Sequence, residues 1–243
     1  MRKVVGYFIL ICFVSGCSSV SVKPAEEEYD SFYDEEHEQD PWEDFNRTMF
    51  TFNEVLDRYL LKPVAQGYRW VTPTFVDDGV TNFFSNLQEP LVIVNDILQG
   101  KFLQAGQDTL RFLINSTVGI YGLFDVASKV DLPAHNEDFG QTLGYWGVPS
   151  GPFVMLPFWG PTTVRDGFTI IPDGYLNLVQ EFNPDLDRTL MAATDFVDAR
   201  ADIIPLEAVA SGDRYIFLRE IYLQTREYDV KDGEVEDTFG DDD

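Results

Sequence analysis

Hydrolytic chemistry in this 243-residue chain would have to be assembled from very few residues. A nucleophilic triad needs a serine or cysteine, a histidine to take its proton and a carboxylate to orient that histidine. The chain holds two histidines, His37 and His135, and two cysteines, Cys12 and Cys17. Ser150, His135 and Asp138 are the set a lipase would use, because all three lie beside a long apolar run. Against it, Gly147-Val148-Pro149-Ser150-Gly151 is not the G-x-S-x-G of a nucleophile elbow, and Pro149 constrains the turn. A loop serine beside a capped polar loop is the plainer reading. No His/Cys cluster has metal-ligand spacing, and Asp77-Asp78-Gly79 and Asp185-x-Asp187 lack the remaining ligands of a calcium loop. No glycine pattern follows a strand to cradle phosphate. No catalytic residue, metal site or cofactor is expected, and the chain offers surfaces instead of a reaction centre.

The most informative surface is the apolar run itself. From Phe139 to Val164 (FGQTLGYWGVPSGPFVMLPFWGPTTV) there is no charged side chain, although the net charge of the protein is −25. Its length would suit a membrane-spanning helix, but Gly140, Gly144, Gly147, Pro149, Gly151, Pro152, Pro157, Gly160 and Pro161 interrupt the helical hydrogen-bond ladder. What remains is an irregular segment carrying Trp146, Phe153, Phe158 and Trp159, to be buried in a core or laid against lipid. A second uncharged run, Phe112 to Phe124 (FLINSTVGIYGLF), is softened by Gly119 and Gly122 and is too short to span a bilayer.

The charge is concentrated at the ends. Residues 26–44 carry eleven acids and no base, and residues 227–243 carry nine acids and one Lys. Such runs repel anionic surfaces and lack a phosphate-neutralising patch, which excludes nucleic acid as a partner. Residues 1–16 read as a signal peptide: Arg2 and Lys3 precede the apolar stretch Val4–Val14. Val14-Ser15-Gly16-Cys17 resembles the lipobox of bacterial lipoprotein signals, which implies lipidation of Cys17 and an anchor in the membrane, several acyl chains making it durable. Ser18 in place of Asp implies the outer membrane, periplasmic side. Residues 17–39 are expected to form an acidic, extended tether of about 75 Å reach at ~3.3 Å per residue, and residues 227–243 an acidic disordered tail.

Between the ends the elements are helical. Asp40 and Pro41 suit a helix start, with Glu43 completing a capping-box pattern. Trp42, Phe45, Met49, Phe52, Leu56 and Tyr59 then recur at spacings of three and four, giving a helix to about Leu61 whose apolar stripe would face a core. Pro63, Pro73 and Pro90 are expected to divide the chain beyond it into short helices, and Gly100 to end one of them in a left-handed cap. A further helix carries Phe102, Leu103, Leu110 and Ile114. Asn136 is a candidate cap for a helix through Phe139 and Leu143. Residues 152–159 allow a brief extended piece but no central strand. Pro172-Asp173-Gly174 reads as a turn, a longer helix ends near Pro205, and Tyr215, Leu218, Ile221 and Tyr222 mark the last. The expected architecture is all-α: one domain, 40–226, of many short amphipathic pieces.

Four stretches then carry a resemblance. DPWEDFNRTMFTFN (40–53), NLQEP (86–90) with VNDILQG (94–100), RFLINSTVGIYGLFDVAS (111–128) and FGQTLGYWGVPSGPFVMLPFWGPTTVRD (139–166) resemble the MlaA/VacJ family of outer-membrane lipoproteins over about 40–225. The resemblance implies a ring-like, membrane-embedded helical domain with a central channel that admits phospholipid. It implies removal of mislocalised phospholipid from the outer leaflet to a soluble periplasmic lipid carrier, association with an outer-membrane trimeric porin, and maintenance of lipid asymmetry. On that picture Trp146, Phe153, Met155, Leu156, Phe158 and Trp159 face lipid or form the ring wall, and Gly119 and Gly122 give a flexible segment bordering the channel. A membrane-bound lipid hydrolase and a structural lipoprotein are the alternatives.

Overall fold

The computed structural model describes residues 40–181, 185–209 and 212–234. Helix α1 (Glu43–Leu56) passes through a π-helical turn, Asp57–Leu61, directly into α2 (Lys62–Val71). Pro63, expected to divide helices, lies instead in the first turn of α2. A proline needs the carbonyl four residues back moved aside, and the wider i→i+5 bonding of the preceding turn does this, with Lys62 N–H reaching Asp57 O. The start also differs from expectation. Trp42 is the terminal residue without a side-chain cap, and the Asp40 carboxylate turns inward to Asn46 Nδ2 (2.7 Å), Tyr215 Oη and Arg219.

Helix α3 (Thr74–Gln99) contains Pro90 in its interior, so the two short helices expected here are one long one. The lost hydrogen bond is outweighed by burial: Phe84 and Leu87 pack on Val179, with Val80, Phe83, Leu178 and Met191 around them. Gly100, at φ +79°, caps α3, and Lys101 N–H donates to Asp96 O at 2.8 Å. The chain reverses at once into α4 (Phe102–Thr117), which returns along α3.

Helix α5 (Phe139–Tyr145) is capped by Asp138, whose Oδ1 accepts from Gln141 N–H at 2.8 Å, and not by Asn136. Gly140 and Gly144, which read as breakers in the sequence, lie inside it. The extended piece at 152–159 proves to be one strand of a hairpin, β1 (Phe153–Leu156) and β2 (Gly160–Thr163), antiparallel with Phe153 opposite Thr163 and Leu156 opposite Gly160. Pro157 falls in its turn. Helix α6 (Val164–Leu176) runs through Pro172, in place of the expected turn. Helix α7 (Asp185–Ile203) gives way to a 3-10 segment, Ile204–Val209, at Pro205, and α8 (Arg214–Val230) follows.

The domain boundary needs correction. The charge pattern puts the acidic tail from residue 227, but α8 continues to Val230, and Gly233 N–H closes a turn on Tyr228 O at 2.9 Å. The fold therefore extends to at least residue 234. The signal and tether expected over 1–39 lie outside the described residues.

Candidate functional site

The helices bury the wrong faces for a protein surrounded only by water. On α4 the enclosed residues are Ala105, Asp108, Arg111 and Asn115, while Phe102 and Leu103 stand 71% and 81% exposed and Leu110 and Leu113 are half out. On α3 the inner face carries Asn86, Glu89, Asn95, Asp96 and Gln99 beside Phe84, Leu87 and Val92. Among the described residues, buried polar and charged side chains outnumber buried apolar ones. Enclosing polar groups costs free energy unless they are hydrogen-bonded, and leaving large apolar rings in water costs more. Both terms change sign together if an apolar phase lies outside, so the arrangement fits a body set in hydrocarbon. No helix among the described residues is long and apolar enough to cross a membrane.

The polar interior is organised in rungs between α3, α4 and the segment leading to α5. Gln99 Nε2 donates to Glu137 Oε2 (2.7 Å) and Thr142 Oγ1 (3.1 Å), and Thr142 in turn donates to Asn95 Oδ1 (2.7 Å). Lys101 pairs with Glu137 (2.8 Å) and Asp232. One rung further, the Asp108 carboxylate meets His135 Nδ1 at 2.9–3.0 Å. Arg111 binds Glu89 (3.3 Å), Ser128 Oγ, Asp125 and the Leu132 carbonyl (2.6 Å). Burial and the neighbouring Asp108 push Glu89 up to about 7, against the pull of Arg111. Burial, followed by Asp108, likewise holds Asp96 above the ordinary carboxylate range.

A second polar centre frames the uncharged run. The Arg226 guanidinium takes both oxygens of Asp138 (2.5 and 2.6 Å) and both of Asp166 (2.9 and 3.2 Å), while Arg165 Nε holds Asp166 at 2.8 Å. Burial would raise Asp166, but the hydrogen bonds from Arg226 and Arg165 outweigh it and hold the group below its ordinary value. Gly140 is required here, because a Cβ would meet Arg226 and Asp166. This centre borders two clefts, one of about 280 Å³ reaching Ser150 and Arg165, the other of about 250 Å³ reaching Trp159 and Asp173.

The hairpin is fastened to α1 by two asparagines. Asn46 Nδ2 donates to Phe153 O (3.1 Å) and Asn46 Oδ1 accepts from Met155 N–H (2.8 Å); Asn53 repeats the pattern on Leu156 O (2.9 Å) and Phe158 N–H (2.9 Å). The match is geometric. Seven residues of helix rise roughly 10.5 Å, and three residues of strand cover about 10 Å, so amides two turns apart meet carbonyls three residues apart. Neither asparagine belongs to a chemical motif that sequence reasoning would single out. Their i, i+7 spacing, which sets both on one face of α1, is the available signal.

The expected site residues separate into groups. Phe153 and Met155 are fully enclosed against Tyr215 and reach no surface. Leu156 is half-buried, and Trp146, Phe158 and Trp159 are exposed. Trp146 Nε1 donates to Leu98 O at 3.1 Å, and Phe158 stacks edge-on against Phe52 at 5.2 Å. Gly119 and Gly122, expected to give a flexible segment, lie in a turn with no room for side chains. A Cβ at Gly119 would strike Phe124 O and the Asn115 backbone, and one at Gly122, at φ +89°, would lie 2.5 Å from Asn86 Cβ. They are glycines because the turn is packed tight. His135 is bonded to Asp108 and Asp138 to Arg226, so the candidate triad with Ser150 loses its orienting carboxylate. Cys17 lies outside the described residues. The buried carboxylates of α3 escape sequence reasoning, because a polar stripe on an amphipathic helix reads as its wet side.

The chain is similar to known proteins over most of its length. The profile of the family described as MlaA lipoprotein matches residues 38–229. The intermembrane phospholipid transport system lipoprotein MlaA of Escherichia coli (strain K12) is 35% identical over 208 residues, covering 83% of this chain and 82% of that one. The protein of the same description from Haemophilus influenzae is 34% identical over 202 residues, covering 81% of each chain. A solved structure reported as the structural basis for maintenance of bacterial outer membrane lipid asymmetry superposes with a TM-score of 0.67 at 35% identity, covering 79% of this chain and 98% of that one.

Proposed function

This chain belongs to the MlaA lipoprotein family, and from that premise we propose that it removes mislocalised phospholipid from the outer leaflet of the outer membrane and so maintains lipid asymmetry. The observation that carries this reading is the reversal of faces on α3 and α4: polar groups enclosed, large apolar side chains outside. A headgroup crossing hydrocarbon meets a cost of several kcal/mol, roughly, for each unsatisfied polar group, so a path needs polar lining and an apolar exterior. Helices satisfy their own backbone and can enclose such a path as a ring.

The anchor is an acylated Cys17, with residues 17–39 as tether; the protein sits on the periplasmic side with its apolar belt in the inner leaflet. A soluble periplasmic lipid carrier receives the lipid, and a trimeric porin is the outer-membrane partner. No reaction is assigned to the chain. The test replaces Leu103 and Leu110 together by Asp, on the outer face of α4, where they are 81% and 51% exposed. The variant is expected to fold with unchanged helical signal, to stay in the membrane fraction through its acylated Cys17, and to let outer-leaflet phospholipid and detergent sensitivity rise. Full membrane retention with normal asymmetry would overturn the reading.

A further inference from the structure

Asp96 on α3 and Asp108 on α4 lie against one another inside the helical hairpin, and neither has any exposed surface. Both oxygens of Asp96 are without a donor. Asp108 already accepts from His135 Nδ1. The other charged groups that face the pair are Glu89, which burial and Asp108 push up to about 7, Glu137, which adds negative charge, and Lys101, whose ammonium is committed to Glu137 and Asp232. Two carboxylates in contact, enclosed and without a donor between them, cannot both carry charge. A hydroxyl on Asp96 directed at Asp108 supplies the missing donor and removes one charge.

We propose that a protonated Asp96 donates to Asp108 and that the pair acts as a pH-dependent latch for the segment 131–138, which His135 and Glu137 fasten to the α3–α4 hairpin. With the proton on Asp96 in place, Asp108 accepts from both Asp96 and His135. When the segment lifts, His135 leaves Asp108, water reaches the pair, and the Asp96 carboxyl gives its proton to solvent as an ordinary acid. The closed form therefore binds one proton more than the open form, and rising pH favours opening. The linkage slope for one proton is about tenfold in the opening equilibrium per pH unit. The segment leads straight into Asp138 and α5, so its opening loosens one end of the framed apolar run. The inference needs only the fold and does not depend on the transport reading.

The test uses the full-length acylated protein in phospholipid nanodiscs. Hydrogen exchange of the amides in 131–138, corrected for intrinsic exchange, is followed from pH 5 to pH 9 beside infrared spectra of the carboxyl region. Wild type should show opening that rises by up to about tenfold per pH unit before levelling, and a protonated-carboxyl band that disappears over the same range. Asp96→Asn keeps an N–H donor for Asp108 but cannot titrate, so its segment should show no such rise and the band should be missing from the difference spectrum. Equal pH slopes in wild type and Asp96→Asn, or no band that the substitution removes, would overturn the proposal. If Asp96→Asn does not fold, Asp108→Asn must abolish the slope in its place, and a retained slope there refutes the protonated Asp96 donor.

Discussion

Asn46→Ala is the substitution most directly set by the structure. The side chain is fully enclosed and satisfies three groups: the Phe153 carbonyl, the Met155 N–H and one oxygen of Asp40. Asp40 keeps Tyr215 and Arg219, but both bind Oδ2, so the enclosed Oδ1 loses its partner and adds about 1 kcal/mol. The Met155 N–H has no other acceptor within the hairpin, because its bond runs to the Asn46 amide. A buried backbone donor left unpaired costs about 1–3 kcal/mol, the carbonyl about 1, and the vacated volume about 1, against a gain of ~0.5 from alanine's helix propensity. With the Asp40 oxygen included, the expected net loss is about 4–5 kcal/mol. Asn53→Ala makes the internal control. It removes the same pair of bonds, but beside the exposed Phe158, where water substitutes, and should cost about 1 kcal/mol. Denaturation in detergent followed by circular dichroism gives the two losses, and hydrogen exchange at residues 153–158 localises them. If Asn46→Ala costs no more than Asn53→Ala, the zipper is not what holds the hairpin.

Other substitutions are set by single contacts. Gly140→Ala places a methyl group on Arg226 and Asp166 and should cost about 2–4 kcal/mol, whereas Gly106→Ala, with open space around it on α4, should stabilise by about 0.5–1 kcal/mol; melting of the two variants checks the pair. Glu89, at about 7 in the folded protein against an ordinary value near 4.3, binds its proton more tightly folded than unfolded, so its contribution to stability is fully present below about pH 4 and is lost as pH rises through 7. Glu89→Gln should flatten that decline in a series of melts across pH, Arg111 retaining Ser128 and Leu132 O. Ser150→Ala should leave outer-leaflet phospholipid and lysophospholipid levels unchanged, and a rise or fall in either would reinstate hydrolytic chemistry.

Much of the helical order is legible in the sequence. The helix marked by the stripe from Phe45 to Tyr59, the left-handed stop at Gly100, the helix from Phe102 and the end of α7 before Pro205 all lie where the pattern puts them, but the stripe does not face a core: Phe45, Phe52 and Tyr59 are exposed and α1 buries Asn46. The prolines mislead, because local rules weigh only the lost hydrogen bond, while Pro90 and Pro172 sit in helices held by partners far along the chain. Periodicity locates a stripe but not its direction: Leu103 and Leu110 mark an apolar face equally well whether it points at a core or at lipid. The site suffers from that same ambiguity. Glu89, Asp96 and Asp108 look like the solvated side of their helices, and only the packing of α3 on α4 turns them inward. Phe153 and Phe158 are equally aromatic, and the alternation along β1 and its turn, invisible without the register, encloses one and exposes the other.

The uncharged run from Phe139 to Val164 gains a physical explanation from its two ends. Asp138 stands immediately before it and Arg165-Asp166 immediately after, and all three converge with Arg226 of α8. A single guanidinium with five donors in a rigid fork can bind two carboxylates bidentately, which an ammonium cannot do. The chain between those carboxylates is therefore closed into a loop by charges that lie outside it. Within the loop the inward positions are filled by Gly140, Gln141, Thr142, Phe153 and Met155, while Trp146, Phe158 and Trp159 point out. A charge at an inward position would displace the paired groups of Arg226 or the enclosed hairpin. The inward half of this uncharged run, whose length alone would suit a membrane span, belongs to a loop whose electrostatics are supplied at its neck.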